Sequence, residues 1–259
     1  MSAKLGLDCI GVLFRTVAND SEAYERSGNV LLDYFFGADI RVHESTANGA
    51  EILERIVSEQ HAKGARPYVV PVGGSNAVGC LGYVRVAREI AAQADAEGMA
   101  IAHLVTATGS AGTHAGLEAG TRLFMPAACV QGVSVLDPDS ARVRTNVAEL
   151  ATASLALATG AKPARVPEDE IILHDGFLGE GYGMPTAEMA AAIRVTARTE
   201  GFLLDPVYSG KAMAALVGLV QAGRFAPEET VVFLATGGTP ALFAYADVFN
   251  GALAEQADS

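Results

Sequence analysis

Positive charge is scarce in this chain: 18 Lys and Arg stand against 30 Asp and Glu, a formal net charge of −12 over 259 residues. Nucleic acid and anionic membrane surfaces both require a basic face, so neither is expected as a partner. Cysteine is scarcer still. Cys9, Cys80 and Cys129 are odd in number, widely spaced and set in apolar contexts. That excludes a disulfide framework and reads as buried free thiols in a reducing cytoplasm. No apolar run approaches the ~20 residues of a membrane span. No long apolar core follows the single lysine of MSAKLGLDCI, so a signal peptide is not expected either. His43, His61, His103, His114 and His174 lack the H-E-x-x-H spacing, and no metal site is expected. There is no G-x-S-x-G elbow and no Gly-Lys-Ser/Thr of a Walker loop.

Half of the residues are hydrophobic, and strand-like runs alternate with amphipathic stretches. Strands are expected at 7–14, 38–42, 66–72, 102–108, 130–136, 170–173 and 230–236. Helical patterns fill 49–64, 81–98, 142–160 and 186–201, with Ile52, Ile56 and Val57 on one face of the first. Such alternation predicts an α/β protein with parallel sheets covered by helices on both faces. VGGSNAVG (72–79) offers a domain joint, dividing a smaller unit, 1–75, from a larger one, 76–259. Asn76 within it can equally cap a helix. The tail GALAEQADS is expected to fray. SAKLG at the start resembles a helix end closed by Gly6, as if an N-terminal portion had come before it.

LVTATGSAGTHAGLEAG (104–120) combines a buried-strand pattern, a Gly-rich loop and a helix start. Unpaired backbone N–H groups at such a junction favour an anion, and glycines let a phosphate approach closely. Gly109, Ser110, Ala111, Gly112 and Thr113 are therefore candidate phosphate ligands. A turn whose glycines serve only packing fits the same pattern. The dinucleotide fingerprint does not fit. The register is Gly109-x-x-Gly112-x-x-x-Gly116, and the first acid after the next strand is Asp137, which reads as a solvated loop residue. Two later motifs end strands or open helices: LLDPVYSGKAMAAL (203–216) and FLATGGTPALFAY (233–245). With GEGYGMP (179–185) they bring Tyr182, Tyr208, Ser209 and Thr236 toward the same crevice if the strand ends converge.

Together with PYVVPVGGSNAVGCLGYV and TATGSAGTHAGL, these motifs resemble the D-cysteine desulfhydrase group. That group lies in the 1-aminocyclopropane-1-carboxylate (ACC) deaminase branch of pyridoxal-phosphate enzymes with a tryptophan-synthase-β-like fold. The likeness runs from about Lys4 to about Phe249, in order. It implies fold type II, two open parallel-sheet domains, lacking the N-terminal portion, and pyridoxal 5′-phosphate as cofactor. Residues 109–113 would hold the phosphate, Thr236 would lie by the pyridine nitrogen with Ser209 nearby, and Tyr208 and Tyr182 would face the substrate. A hydroxyl partner would leave the ring a weaker electron sink than a carboxylate would. The implied reaction is β-elimination from a β-substituted amino acid to pyruvate and ammonia, by a cytoplasmic homodimer. The deaminase proper is expected to carry Glu where this chain has Ser209, which favours the desulfhydrase side. L-cysteate sulfo-lyases share most of the motifs.

Lysine completes the list of scarcities. The chain has four, Lys4, Lys63, Lys162 and Lys211, and the family's Schiff-base lysine sits in an N-terminal Gly-Asn-Lys segment that none of them matches. Only Lys211, one turn past Tyr208, is expected near the site. The chain then reads as a fragment, as half of a split enzyme completed in trans, or as a non-catalytic binding subunit inactive alone.

Overall fold

The structure, a computed structural model, describes residues 1–249; the expectation for the tail GALAEQADS lies outside them. Two parallel sheets organise the chain. The smaller pairs β1 (Ile10–Arg15) with β2 (Asp39–Glu44). Before, between and after these strands come α1 (Ser2–Leu5), α2 (Glu22–Arg26), α3 (Gly28–Phe35) and α4 (Gly49–Ala62). Gly6 closes α1 in the left-handed conformation, as its position suggested, and Ile52 and Ile56 form the buried stripe of α4. The larger sheet follows α5 (Ala77–Ala96) and consists of β3 (Ile101–Thr108), β4 (Cys129–Ser134), β5 (Ile172–His174) and β6 (Thr230–Phe233). Its helices are α6 (Gly112–Phe124), α7 (Ser140–Thr159), α8 (Ala187–Glu200), α9 (Ser209–Gln221) and the short α10 (Ala241–Ala244).

The larger sheet has the order β5-β4-β3-β6, parallel throughout. The chain leaves β3 toward β4 on one side, while β6 joins it on the other. That reversal opens a crevice beyond the carboxyl end of β3, where open α/β sheets bind ligands. Leu104 and Val105 point to opposite faces of the sheet, and both are fully buried. Leu104 meets Ala87, Leu117 and Val130 under α5 and α6, and Val105 meets Val133, Ala212 and Ala215 under α9. A strand buried on both faces needs a continuous apolar run, and IAHLVTAT supplies it.

One expected strand is absent. Residues 66–72 form no ladder, and Tyr68, Val70 and Val72 are exposed. The run is apolar, but Pro67 and Pro71 each remove a donor and no strand lies beside it among the described residues. The last expected strand stops at Phe233, and 234–238 continue as irregular backbone. Cysteine placement also differs. All three thiols are free, but only Cys80 is buried, because Cys9 precedes an outer strand and Cys129 is the first residue of β4. No helix among the described residues is long and apolar enough to cross a membrane.

Helices α5 and α6 pack with their backbones nearly touching. A Cβ on Gly116 would sit 2.6 Å from Tyr83 Cβ and closer still to the Cys80 carbonyl. Replacing Gly116 by Ala should therefore push α5 off the sheet and cost about 1–3 kcal/mol by overpacking, read as a lowered urea midpoint with an unchanged slope.

Candidate active site

The loop after β3 is built for close approach. Ala111 carries a left-handed φ of 71°, the one positive value at a non-glycine residue among those described. Asn48, Asn76, Asp139 and Thr186 cap α4, α5, α7 and α8 with side chains, but the residue at that position of α6, Ala111, supplies none. Helix starts leave amides for an outside acceptor, and the aligned peptide dipoles favour an anion there. Asn76 is the cap of α5. Its neighbour Ser75 reaches the loop, donating to Ser110 Oγ at 2.7 Å and accepting from the Gly112 N–H at 3.2 Å. One amide of 109–113 is therefore shared with a serine. Beside the loop lies a cavity of about 430 Å³, lined by Ser75, Gly109, Ser110, Ala111, Asp137 and Asn146. Asp137, expected in solvent, borders it and is tied to Arg142.

Tyr208 packs on the same loop at Gly109. A Cβ on Gly109 would stand 3.1 Å from the Tyr208 ring, so glycine lets the ring settle on the backbone. The Tyr208 and Tyr182 hydroxyls are 2.7 Å apart. Burial, then the partner hydroxyl, raises the Tyr182 pKa well above the ordinary phenol, and burial also raises Tyr208. Both are neutral hydroxyls at physiological pH. Three of the expected groups are thus brought together: the loop, Tyr208 and Tyr182. Thr236 is exposed in the segment after β6, where Gly237 and Gly238 have φ of 94° and 92°.

Ser209, expected near Thr236, opens α9. It is buried, its hydroxyl donates to the Asp205 carboxylate, and it accepts from the Asp205 N–H at 2.8 Å. Asp205 went unremarked in the sequence, although an Asp-Pro ahead of an apolar helix is a capping signal. Its carboxylate also accepts from the N–H groups of Val207, Tyr208 and Ser209 at 2.7–2.8 Å. A Cβ on Gly238 would lie 3.0 Å from its Cγ, so the 236–238 segment runs against the same carboxylate. Asp205 therefore joins the start of α9 to the loop after β6.

His114 stands behind the loop rather than in the crevice. It is fully buried, with Nδ1 3.0 Å from Thr108 Oγ1 and Nε2 3.4 Å from Glu118 Oε1. Glu118 also pairs with Arg122, which reaches Glu170 at 2.7 Å. Burial pushes the Glu118 carboxyl up, but His114 and Arg122 more than offset it and hold it below the usual carboxylate range. Lys211 is fully buried, and its Nζ donates to the carbonyls of Leu178 at 2.7 Å and Gly181 at 3.1 Å. The other three lysines, Lys4, Lys63 and Lys162, are exposed at or near helix ends.

A glycine-lined helix start at a switch point of a parallel sheet, beside a pair of tyrosine hydroxyls, is the kind of place where α/β enzymes hold a phosphate group. The chain belongs to the pyridoxal-phosphate dependent enzyme family, whose model matches residues 1–237. It is 42% identical over 245 residues to a D-cysteine desulfhydrase of Klebsiella pneumoniae, covering 95% of this chain and 73% of that one. A D-cysteine desulfhydrase of Yersinia pestis is 43% identical, with 95% and 72% covered. Among solved structures, an ACC deaminase homologue superposes with a TM-score of 0.81 at 33% identity, over 96% of this chain and 72% of that one. Pyridoxal phosphate is the cofactor of this family, and fold type II is the fold. The loop fits such a group: its amides suit the phosphate, and a Cβ at Gly112 would fill the cradle, 2.5 Å from Ser75 Oγ.

Two outcomes are expected. Asp205→Asn turns one acceptor into a donor facing the Ser209 N–H and should cost about 1–3 kcal/mol, measured by chemical denaturation. Glu118 has a depressed folded pKa, so its stabilisation is present above the unfolded carboxylate range and is lost as pH falls through the folded value. The stability gap between the wild type and Glu118→Gln should thus be largest near neutrality and close on acidification below the ordinary glutamate range.

Proposed function

We propose that this chain forms the cofactor- and substrate-facing part of a D-cysteine desulfhydrase-type lyase. The enzyme would act on a small β-substituted amino acid and release pyruvate and ammonia. The observation that carries the reading is the 109–113 loop with the Tyr208–Tyr182 pair set against it. The 42–43% identity to D-cysteine desulfhydrases supports that substrate class over the sulfo-lyase and ring-opening alternatives.

When bound, pyridoxal phosphate supplies an electron sink for the bonds at Cα. In this reading Gly109, Ser110, Ala111, Gly112 and Thr113 hold the phosphate through backbone amides and hydroxyls. Thr236 lies toward the cofactor ring, and Ser209 acts through Asp205, fixing the start of α9. Tyr208 and Tyr182, kept neutral by burial, donate to the substrate carboxylate or place a proton on the departing sulfur. The division near residue 75 separates a smaller from a larger domain, and Ser75 is where the two meet at the loop. Homodimeric assembly in the cytoplasm belongs to the same proposal.

The amine that anchors the cofactor is assigned to a polypeptide segment bearing Gly-Asn-Lys, in cis or in trans. Lys211 is committed to two carbonyls, and the other three lysines sit in solvent at helix ends. The exposed apolar run 68–72 beside Ser75 supports a further segment packing there.

Absorbance titration should show reversible binding of pyridoxal phosphate and none of a nicotinamide cofactor. At stoichiometric cofactor, borohydride should fix none on Lys211 and only non-saturable background on the exposed lysines, whereas adding the Gly-Asn-Lys segment should yield a stoichiometric adduct on that segment and sulfide release from D-cysteine. Stoichiometric, saturable fixation on one of the chain's own lysines would overturn the assignment of the amine.

A further inference from the structure

The first turn of α9 reaches the 178–183 loop twice. Tyr208, at the N-cap position, extends its hydroxyl to Tyr182. Lys211, three residues on, buries its whole side chain and donates to the carbonyls of Leu178 and Gly181. Residues three apart on a helix lie on one face, so both tethers leave the same side of α9. The loop between them has little regular structure of its own. Gly179 and Gly183 have φ of 68° and 71°, and the Gly183 carbonyl accepts from the Tyr245 hydroxyl at 2.8 Å. A buried ammonium is costly unless its donors are satisfied, and both of its partners are carbonyls of that loop. Met has similar length and volume and would fill the same channel without that cost, so the amine is there for the carbonyls it holds.

We infer that Lys211 is a positioning residue that clips the 178–183 loop to α9 and thereby sets the placement of the Tyr182 hydroxyl at the substrate side of the site. The inference rests on the reading of Tyr182 as substrate-facing. The clip itself can be measured without cofactor. Four hydrogen bonds then divide the work: the two from Lys211 hold the loop's near half, one from Tyr245 its far end, and the Tyr208 hydroxyl meets Tyr182 between them. Burial lowers the pKa of the Lys211 amine, and its hydrogen bonds to two carbonyls still require a donor at that point.

Hydrogen exchange on the wild-type chain, Lys211→Met, Lys211→Arg and Tyr208→Phe tests this. Lys211→Met should speed exchange of the 178–183 amides tenfold or more while α5 and α6 keep their protection. Lys211→Arg, which retains donors, should restore most of the difference, and Tyr208→Phe should leave those amides near wild type. In an alkaline absorbance titration, Lys211→Met should also move one tyrosine ionisation to lower pH, as Tyr182 swings into water. A merely structural lysine would not produce that shift. Unchanged exchange at 178–183, or a rise no larger than in α5 and α6, would overturn the clip. Acylation of the wild type needs no variant: Lys211 should react at least a hundredfold more slowly than Lys4, Lys63 and Lys162, and equal rates would overturn it too. If the clip holds but no pyridoxal phosphate binds, the proposed function fails and the clip stands.

Discussion

The ligand-facing end of the larger sheet depends on how tightly the backbone turns from β3 into α6. Ala111 takes a left-handed φ, and the residues behind it permit nothing looser. His114 is wedged against Thr108 and lies directly over Gly132 of β4, where any Cβ would strike its ring. Helix α6 is pressed just as closely onto α5 through Gly116 and Gly120. Strain at a non-glycine residue persists only where its surroundings over-determine it. In this chain they do, and the result is a helix start with no cap from its own N-cap residue, one amide of which meets Ser75.

A second device occupies the start of α9, and its logic is the reverse. There the helix dipole is already answered by Asp205, which accepts three backbone N–H groups and the Ser209 hydroxyl. One helix start has no carboxylate of its own and the other is closed by an internal one. Tyr208 and Lys211 project from the closed start toward the Tyr182 loop.

Much of this was legible in the residues. Apolar runs and glycine joints located six of the seven strands and the 109–113 loop, because a doubly covered parallel strand and a close-approach turn leave strong local patterns. The 66–72 run misled because apolar, β-branched composition reports a tendency to pair, and a ladder forms only when another strand lies alongside. The resemblance placed Ser209 near the cofactor ring but gave no sign of its hydrogen-bond partner. Its engagement with Asp205, four residues earlier, depends on the backbone bend at Pro206. His114 lies within the glycine-rich motif, yet its side chain turns inward to Thr108.

By itself the sequence determined the alternation of elements, the position of the glycine-rich loop and membership of the pyridoxal-phosphate family, because periodicity and motif order are properties of the linear chain. Only the tertiary structure decided which polar groups are free and which are spent. Ser209, His114 and Lys211 are equally polar on paper. A hydrogen bond is settled by the direction of a side chain at a distance of about 3 Å, and that direction is fixed by residues from other elements packed around it.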